Sequence, residues 1–519
     1  MGEEMKKIKI VLASMFLFFV IFSVDVYAEK YEMRGVWITT VYNKDWPSKS
    51  NYGNVDKQKK EFINILDELK SQGINTVVVQ VRTAGDALYK SNINPWSNVL
   101  TGIQGKDPGY DPLQFMIEET HERGMEFHAW FNPYRVTTSG TNLQVLDEKH
   151  PARQNPNWII YNNGAMYYDP SNLGVKKHII DTVTEVVKNY DVDGIHFDDY
   201  FYPEKYPLPE GEDRNGIEAN VRREYINDMI KSVYNTIKSV DSSIEFGISP
   251  SGIWKNKSSD ITGSDTIGNE SYYSVYADTR TWIKNGWIDY VVPQIYWEIG
   301  NSAADYKTLV KWWNNEVSGT KTELYIGQGI YKEVVRNEIY NQVKLNEDYN
   351  NIKGSIYYTA SDILENSGVK DSMKLLYKPG WKYNANKWYL LDEIGIKKIG
   401  WQKVNNEWYY LDNSGVMKTG WQKINSVWYY LDSSGAMKMG WQKINSVWYY
   451  LDSSGAMKTG WQKINSVWYY LDSSGAMKTG WLKLDDRIYY LKSNGSMAIG
   501  EVNIEGKNYT FSINGELKI

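Results

Sequence analysis

Short apolar stretches alternate with amphipathic stretches through the first 378 residues of the chain. The apolar stretches are rich in Val and Ile, as in Asn-Thr-Val-Val-Val-Gln-Val at residues 75–81, which is typical of strands buried on both faces of a parallel sheet. The stretches between them repeat apolar residues at helical spacing. In residues 57–70, for example, Phe62, Ile65, Leu66 and Leu69 fall on one face.

This alternation predicts an α/β fold in which parallel strands are joined by helices. The predicted strands are residues 34–40, 75–81, 125–131, 194–197, 244–249, 287–296, 323–327 and 354–358. The predicted helices are residues 57–70, 113–123, 175–189, 217–240, 304–315, 332–346 and 362–376. Strand–helix units of this number and length predict a (β/α)8 barrel of the TIM type with enlarged loops, over residues 29–378. An open doubly wound sheet is the alternative, but the residues after the first strand, Thr-Thr-Val-Tyr, are not a glycine-rich phosphate loop.

Polar and aromatic side chains lie on these strands and in the segments that follow them. The carboxyl ends of barrel strands meet at one mouth, so we expect these side chains to converge there. Amide, guanidinium, imidazole and carboxylate groups beside aromatic rings are typical of a sugar-binding site. The candidate substrate-binding residues are Arg34, Trp37, Gln80, Arg82, Asp86, His128, Trp130, Asn132, Arg135, His196, Tyr200, Tyr202, Trp254, Gln294, Tyr296 and Trp297.

Two of these assignments have open alternatives. Arg34 beside Asp193 or Asp198 is equally well explained as a structural ion pair. His128 and His196 are two of only five histidines, and a zinc pair is conceivable. Because no His-x-x-x-His motif accompanies them, neutral hydrogen-bonding imidazoles are favoured, and neither a metal nor a cofactor is predicted.

The stretch Asp-Gly-Ile-His-Phe-Asp-Asp-Tyr-Phe-Tyr-Pro at residues 193–203 carries the strongest chemical signal. A buried strand ends there in two adjacent carboxylates. Alternation along the strand predicts that His196 and Asp198 share one face, while Asp199 takes the other. An acidic pair that merely caps the following loop is the structural alternative.

Two carboxyl groups at a barrel mouth predict glycoside hydrolysis. Asp198 is the candidate nucleophile or charge-stabilising carboxylate. Glu298, at the end of the sixth predicted strand, is the leading candidate for the general acid, with Asp199 and Asp86 behind it.

The chain changes character after Gly380, where 11 of its 22 tryptophans lie. A unit of 20 residues recurs, with Trp401, Trp421, Trp441, Trp461 and Trp481 at equal spacing. Each unit reads as a β-hairpin that cannot bury its aromatic face alone, so residues 379–519 predict an all-β solenoid of hairpin repeats. Trp401, Trp408 and Trp421 are predicted to form a three-sided cage of the kind that holds quaternary ammonium groups.

Composition and the N-terminus bound the remaining possibilities. A net charge of −5 gives no electrostatic footprint for nucleic acid, and the absence of cysteine excludes a thiol nucleophile. Lysines precede an apolar run at residues 10–22, and Val-Tyr-Ala follows at 26–28. This pattern predicts a secretory signal peptide at residues 1–28, cleaved after Ala28, and no membrane span in the mature chain. A single membrane anchor is the alternative, but the run is short for a span.

Five motifs in the first half resemble the glycosyl-hydrolase-like family 10 proteins, which are bacterial secreted or lipoprotein barrels. They are Arg-Gly-Val-Trp, Gln-Val-Arg with Gly-Asp-Ala-Leu-Tyr, His-Ala-Trp-Phe-Asn-Pro-Tyr-Arg, the stretch at 193–203, and Pro-Gln-Ile-Tyr-Trp. Gly-Ile-His-Phe-Asp is also similar to a strand of α-amylase-like enzymes, in which the Asp matching Asp198 is the nucleophile. The family resemblance implies a peptidoglycan glycan substrate, including strands stripped of stem peptides.

The repeats are similar to the cell-wall-binding repeats of choline-binding proteins, and more distantly to glucan-binding repeats. That resemblance implies binding of choline, or of a glucan, on cell-wall polymers. The implied wall-binding residues are Trp401, Trp408, Tyr410, Trp421, Trp428, Tyr430, Trp441, Trp448, Tyr450, Trp461, Trp468, Tyr470 and Trp481.

The sequence therefore predicts an exported glycoside hydrolase attached to a Gram-positive type cell wall. The alternatives are a hydrolase of another surface or extracellular polysaccharide and a non-catalytic protein whose barrel only holds glycan.

Overall fold

A computed structural model describes residues 32–377, 379–384, 386–392 and 397–518; the predicted signal peptide lies outside these residues. The described residues fall into two compact units, one at 32–384 with 391–392 and the other at 386–390 with 397–518. In this part of the chain, no helix combines the length and the hydrophobicity that crossing a bilayer requires.

The first unit contains the predicted barrel. Its parallel strands close in the spatial order β1-β10-β9-β8-β7-β6-β3-β2, which confirms the TIM-type fold. Strands β4 and β5 form a separate antiparallel hairpin. The strands of this region are Met33–Ile38 (β1), Thr76–Arg82 (β2), Glu126–Phe131 (β3), Ile159–Asn162 (β4), Ala165–Tyr168 (β5), Gly194–Phe197 (β6), Glu245–Ile248 (β7), Tyr290–Val291 (β8), Glu323–Gln328 (β9) and Ile352–Tyr357 (β10).

Helices cover the outside of the barrel and bury their apolar faces against it. In the first helix the predicted face is the buried one, with Phe62, Leu66 and Leu69 fully buried and Ile65 nearly so. The helices are Val55–Ser71 (α1), Asn98–Thr101 (α2), Pro112–Glu122 (α3), Pro151–Gln154 (α4), Leu173–Asn189 (α5), Ile217–Val240 (α6), Ser271–Ser274 (α7), Thr279–Asn285 (α8), Tyr306–Glu316 (α9), Glu333–Arg336 (α10), Ile339–Asn346 (α11), Ala360–Glu365 (α12) and Ser367–Tyr377 (α13).

Alternate residues of the barrel strands fill its interior. Trp37, Trp130, Tyr290 and Tyr325 belong to one buried cluster inside the ring of strands. Gly247 makes room for the Tyr290 ring, since a Cβ atom at position 247 would lie 1.9 Å from that ring. Small residues opposite large rings are how a closed barrel of this size is packed.

The sixth barrel strand is much shorter than the sequence predicts. Residues 287–296 were expected to form it, but only Tyr290–Val291 pairs as a regular strand. Pro293 lacks an amide proton and interrupts the hydrogen-bond ladder. Beyond it, Gln294 makes isolated bridges to Ser251 and Gly327. The chain around Gln294 is therefore free to bend into the mouth.

The second half of the chain consists of short antiparallel hairpins, as the repeat predicts. Five-residue strands recur at Gly380–Asn384 (β11), Lys387–Leu391 (β12), Gly400–Val404 (β13), Glu407–Leu411 (β14), Gly420–Ile424 (β15), Val427–Leu431 (β16), Gly440–Ile444 (β17), Val447–Leu451 (β18), Gly460–Ile464 (β19), Val467–Leu471 (β20), Gly480–Leu484 (β21), Arg487–Leu491 (β22), Gly500–Ile504 (β23) and Lys507–Phe511 (β24).

Two-residue turns set the register of these hairpins. In the first complete repeat, Asn405 and Asn406 adopt φ values of 51° and 69°, as a type I′ turn requires. The turn places Trp401 opposite Tyr410. Trp401, Trp408 and Tyr410 therefore share one face of the hairpin, and Tyr409, opposite Gln402, lies on the other.

Successive repeats are joined by backbone and side-chain contacts. The amide of Met437 donates to the carbonyl of Trp408 in the preceding hairpin at 2.7 Å. The side chain of Met437 lies against the next turn, where a Cβ at Gly455 would approach its Sδ to 2.4 Å. Each repeat thus completes its packing on its neighbours, as in other solenoids.

We expect Gly455→Ala to destabilise the solenoid more than Gly460→Ala does. Both glycines have positive φ values, 83° and 74°, so both variants carry backbone strain of about 1 kcal/mol or more. Only the new methyl group at position 455 meets Met437, whereas nothing lies within 4 Å of a Cβ at position 460. Calorimetry of the full chain should show the larger fall in the solenoid's unfolding temperature for Gly455→Ala. Equal falls would argue against this packing.

Candidate active site

The carboxyl group of Asp198 lies where strand β6 ends, deeper than the sequence suggests, with 4% of the residue exposed. Its Oδ2 accepts hydrogen bonds from Trp130 Nε1 at 3.1 Å and Asn132 Nδ2 at 3.0 Å. Both donors come from β3 and the residues after it, and β3 pairs with β6 so that Trp130 lies beside His196. The other oxygen, Oδ1, faces the backbone amide of Tyr200 at 3.5 Å.

Burial raises the pKa of Asp198 to about 7. The positive charge of Arg135 and the hydrogen bonds from Trp130 and Asn132 oppose this rise, while the negative charge of Asp199 adds to it. The carboxyl group is therefore partly protonated near neutral pH.

Asp199 lies at the same mouth, so the prediction that it takes the opposite face is wrong. Strand β6 ends at Phe197, and strand alternation no longer governs the direction of the next side chains. Asp199 is partly exposed. Burial raises its pKa to about 6, against the effects of its own backbone amide, a hydrogen bond with Gln294 and the charge of Arg135.

Arg135 links the two carboxyl groups electrostatically, since its charge lowers the pKa of both. Its guanidinium stacks 4.1 Å from the centre of the Tyr200 ring. Arg135 is 8% exposed, whereas Tyr200 is 47% exposed. Arg135 covers one face of the Tyr200 ring, so the other face is the one available to a ligand.

Tyrosines form a wall beside the acidic pair. Tyr296 stacks on Tyr358 with ring centres 6.1 Å apart, and Tyr331 meets both rings edge-on at 5.9 Å. Burial raises the pKa of Tyr296, and the charges of Tyr358 and Asp199 add to the effect, which places the three groups close together. Tyr331 and Tyr358 are not among the residues that the sequence predicts for the site. Tyr358 directly follows β10, so its position at a strand end was the available signal.

A chain of hydrogen bonds forms the floor below Asp198. Trp37 Nε1 donates to His196 Nε2 at 3.2 Å, and Nδ1 of that ring lies 3.1 Å from the Tyr290 hydroxyl. The same hydroxyl lies 2.8 Å from His128 Nδ1. Burial holds the pKa of His196 well below its usual range. This geometry favours the neutral hydrogen-bonding imidazoles that the sequence suggests, and it places His128 in the barrel interior rather than against a substrate.

Both other arginines among the candidates serve the barrel's structure. Arg34 Nε donates to the carbonyl of Gly73 at 2.6 Å, and its guanidinium lies 5.1 Å from the Tyr377 ring. Arg82 donates to the carbonyl of Asn132 at 2.6 Å. Arg34 faces away from the barrel interior because it alternates with the inward-facing Trp37 along β1. The expectation that Arg34 and Arg82 converge on the mouth is therefore wrong.

Gln80 and Asp86 are buried and hydrogen-bonded to protein groups. Gln80 Oε1 accepts from the amide of Val41 at 3.0 Å. Asp86 Oδ1 accepts from Thr83 Oγ1 at 2.9 Å and from the amide of Ala84 at 3.2 Å. With exposures of 1% and 2%, both residues shape the rim rather than reach a ligand.

Tyr202 and Trp254 also pack within loops. The Tyr202 ring lies 5.1 Å from Tyr276. Trp254 donates to Asp278 Oδ1 at 3.2 Å, and the Arg280 guanidinium covers its ring at 3.9 Å. Neither ring is available for stacking on a sugar. Trp297, by contrast, is partly exposed and stays a predicted contact.

Glu298 is not suited to be the general acid. Its Oε1 accepts from Asn301 Nδ2 at 2.8 Å, and that hydrogen bond lowers the pKa of the carboxyl group. A general acid needs a raised pKa. Asp199 has one, and it lies beside Asp198.

Aromatic cages recur along the solenoid. The Trp401 ring lies 6.4 Å from Trp408 and 5.2 Å from Tyr410 in its own hairpin. The third ring contact, at 4.9 Å, is Tyr429 of the next hairpin, while the contribution of Trp421 to the cage stays a prediction. The same arrangement repeats at Trp421 with Trp428, Tyr430 and Tyr449, at Trp441 with Trp448, Tyr450 and Tyr469, and at Trp461 with Trp468, Tyr470 and Tyr489.

The second indole of each cage remains open to solvent. Trp408, Trp428, Trp448 and Trp468 are each 39–40% exposed. At Trp481 the corresponding position is Ile488, and the ring contacts are Tyr490, Tyr509 and Phe511 instead. This last cluster lacks one indole wall.

Comparison with known proteins identifies the barrel. The profile of the family described as glycosyl hydrolase-like 10 matches residues 32–344, which is more than half of the chain. The chain belongs to the glycosyl hydrolase-like 10 family. It is similar to glycosyl hydrolase YngK of Bacillus subtilis, with 45% identity over 364 residues that cover 66% of this chain and 71% of that protein. It is also similar to glycosyl hydrolase DigH of Escherichia coli K12, with 45% identity over 322 residues that cover 58% and 73%.

The solenoid matches a second profile, that of a choline-binding repeat, at residues 398–439, 418–459 and 458–501. Among solved structures, choline binding protein F from Streptococcus pneumoniae is 45% identical, with 27% of this chain and 52% of that chain covered and a TM-score of 0.27. The chain thus spans about half the length of that protein. This member of the glycosyl hydrolase-like 10 family therefore joins its barrel to choline-binding repeats.

We expect Asp198→Asn to stabilise the barrel of this family member at pH 8. The folded pKa of Asp198 lies above its unfolded value, so the native state binds more protons between pH 4 and 7 and loses stability as pH rises through that range. Asn removes this cost, which amounts to about 2–4 kcal/mol above pH 7. The unfolding temperature of the barrel, measured by calorimetry, should exceed that of the wild type at pH 8 and converge with it near pH 4. A difference independent of pH would contradict the raised pKa.

Proposed function

We propose that this protein is an exported glycoside hydrolase that cleaves peptidoglycan glycan strands, including strands stripped of their stem peptides. The observation that carries the proposal is the acidic pair Asp198 and Asp199. Both have raised pKa values and both lie beside Arg135 at the aromatic mouth of a barrel from a glycosyl hydrolase-like family.

The two carboxyl groups have different parts in this reaction. Asp199 is the more exposed, and its pKa of about 6 lets it carry a proton to the leaving glycosidic oxygen. Asp198 is the deeper carboxylate and stabilises positive charge at the reacting sugar. Arg135 keeps a share of both groups ionised near neutral pH, and Gln294 orients Asp199.

The tyrosine wall supplies the binding surface for the glycan. Sugar rings carry apolar faces that stack on aromatic rings, and their hydroxyl groups bond to nearby polar groups. Tyr200, Tyr331 and Trp297 present partly exposed rings at the mouth, so they are the side chains on which a glycan strand would lie.

The solenoid holds the enzyme on its substrate. An indole pair with a neighbouring tyrosine attracts a quaternary ammonium group by about 0.5–2 kcal/mol per ring, so each cage is a weak site for choline. Weak sites in series give avidity on a polymer that carries many choline groups. A signal peptide at residues 1–28 and these repeats together suit a protein secreted to a Gram-positive type wall.

We expect Asp198→Asn and Asp199→Asn each to lose about 100- to 10,000-fold in glycan cleavage, because each removes a group that acts on the reacting sugar. Glu298→Gln is the matched control and should keep wild-type activity. The assay incubates purified full-length protein with intact and amidase-treated sacculi and identifies the released fragments by mass spectrometry.

Each alternative predicts a different result in this assay. A non-catalytic glycan-binding protein would bind sacculi but release nothing. A hydrolase of another polysaccharide would leave sacculi intact and cleave an extracellular or teichoic polymer. Activity that survives in both aspartate variants would refute the proposed site.

We expect Trp408→Ala, Trp428→Ala, Trp448→Ala and Trp468→Ala, combined one after another, to lower stepwise the choline concentration that elutes the protein from a choline-agarose column. Each change removes one wall of one cage. Val427→Ala, which alters another exposed strand residue, is the control and should elute with the wild type. Retention on dextran that free choline does not disturb would instead indicate a glucan-binding solenoid.

A further inference from the structure

The position of the acidic pair limits where a nucleophile can come from. Asp198 and Asp199 are consecutive residues directly after the end of β6, and the charge of Arg135 lowers the pKa of both. In a direct displacement, the acid lies beside the leaving oxygen. The attacking group must approach the reacting carbon from the opposite face. Two carboxyl groups that approach from one side cannot readily fill both positions.

The burial of Asp198 also argues against direct attack on a sugar ring. The residue is 4% exposed, and its Oδ2 is held by Trp130 and Asn132. Oδ1 has a single long contact, with the backbone amide of Tyr200 at 3.5 Å, so it keeps capacity to accept a stronger hydrogen bond. An acceptor at this depth suits a small substituent that hangs below the sugar ring better than the ring carbon itself.

Aromatic groups lie near this carboxyl group. The indole of Trp130 donates to its Oδ2. Burial raises the pKa of Tyr358, the charge of Asp198 adds to the rise, and the Tyr358 ring lies 6.1 Å from Trp37. A hydrogen-bond acceptor with aromatic neighbours matches an acetamido group, whose N–H donates and whose methyl group packs against rings.

Three other carboxylates near the mouth already accept hydrogen bonds from protein groups. Asp45 accepts from the amide of Thr39 at 2.7 Å and from Thr359 Oγ1 at 2.8 Å. Asp86 and Glu298 are bound within their loops, as described above. Glu204 is exposed on the loop that carries the acidic pair and interacts with Lys205 at 3.8 Å, so it is a residue to test.

We propose that the nucleophile is the carbonyl oxygen of the substrate's own 2-acetamido group, oriented by Asp198, and that the enzyme therefore acts only on glycosidic bonds of 2-acetamido sugars. This inference rests on the proposed hydrolase function and gives its mechanism and substrate class. Substrate-assisted catalysis of this kind is a known exception to the two-carboxylate scheme.

Asp199, the acetamido group and one water molecule are sufficient to balance the bonds and protons of the reaction. In the first step the acetamido oxygen forms a bond to C1 while the C1–O bond to the leaving sugar breaks, and the Asp199 proton passes to the leaving oxygen. The Asp198 carboxylate accepts the hydrogen bond of the acetamido N–H, which becomes more acidic as the oxazolinium ring forms. In the second step water attacks C1, its proton passes to the Asp199 carboxylate, and the ring opens to restore the acetamido group. The anomeric configuration is retained.

The test compares three versions of one polymer. Glycan strands from amidase-treated sacculi are used as isolated, after chemical N-deacetylation, and after re-acetylation of the deacetylated sample. We expect deacetylation to lower the cleavage rate by about 100-fold or more, as loss of a group that acts in the transition state does, and re-acetylation to restore it. Cleavage of the deacetylated polymer at a comparable rate would overturn the inference while leaving the hydrolase function intact.

An oxazoline mimic tests the pocket without turnover. N-acetylglucosamine-thiazoline should bind the wild type in calorimetry and compete with the substrate. Asp198→Asn should weaken this binding by about 10-fold or more, because a carboxylate hydrogen bond to the ring N–H is lost. Glu204→Gln, the matched control, should bind and cleave like the wild type; loss of cleavage in Glu204→Gln with thiazoline binding unchanged would overturn the assignment of Asp199 as the acid.

Two further results would refute the mechanism. A covalent glycosyl adduct on Asp198, trapped with a 2-fluoro sugar and located by mass spectrometry, would show that the protein supplies the nucleophile. Absence of cleavage of every polymer together with absence of thiazoline binding would overturn the hydrolase function and the mechanism together.

Discussion

The placement of a carboxyl group in a nearly dry pocket is the constraint on which the site depends. Removing an ionised carboxylate from water is costly unless other groups replace the water. At Asp198 those groups are the indole N–H of Trp130, the amide of Asn132 and the charge of Arg135. All three come from strand β3 and the segment after it. The groups that replace water around Asp198 are therefore in place only when β3 and β6 pair in the observed register.

The barrel interior makes that register rigid. Below the acidic pair, Trp37, His196, Tyr290 and His128 are linked by hydrogen bonds and packed among the inner rings. A slip by one residue would exchange the inner and outer faces of a strand. The floor thus holds the proposed site in a fixed geometry, and no large movement is needed to assemble it.

The solenoid depends for its stability on contacts between repeated units. A single two-stranded hairpin has too little buried surface to be stable alone. Here the methionine of one repeat packs against the turn glycine of the next, and the rings of adjacent hairpins meet. The same contacts that stabilise the array leave the second indole of each repeat exposed. The stability of the array and the exposure of the proposed choline-binding rings therefore arise from one stacking geometry.

The sequence by itself determined the barrel, the hairpin repeat and the position of Asp198, because these depend on local periodicity and on the ends of strands. It could also have separated Arg34 from Trp37, which fall on opposite faces of one strand. The tertiary structure alone decided which strand-end groups meet. Asp199 turns into the mouth because its strand has already ended, Glu298 is held by Asn301, and Tyr331 and Tyr358 join a wall that no single motif contains. Likewise, Tyr429 packs against Trp401 of the preceding hairpin, because residues distant in sequence become neighbours only after folding.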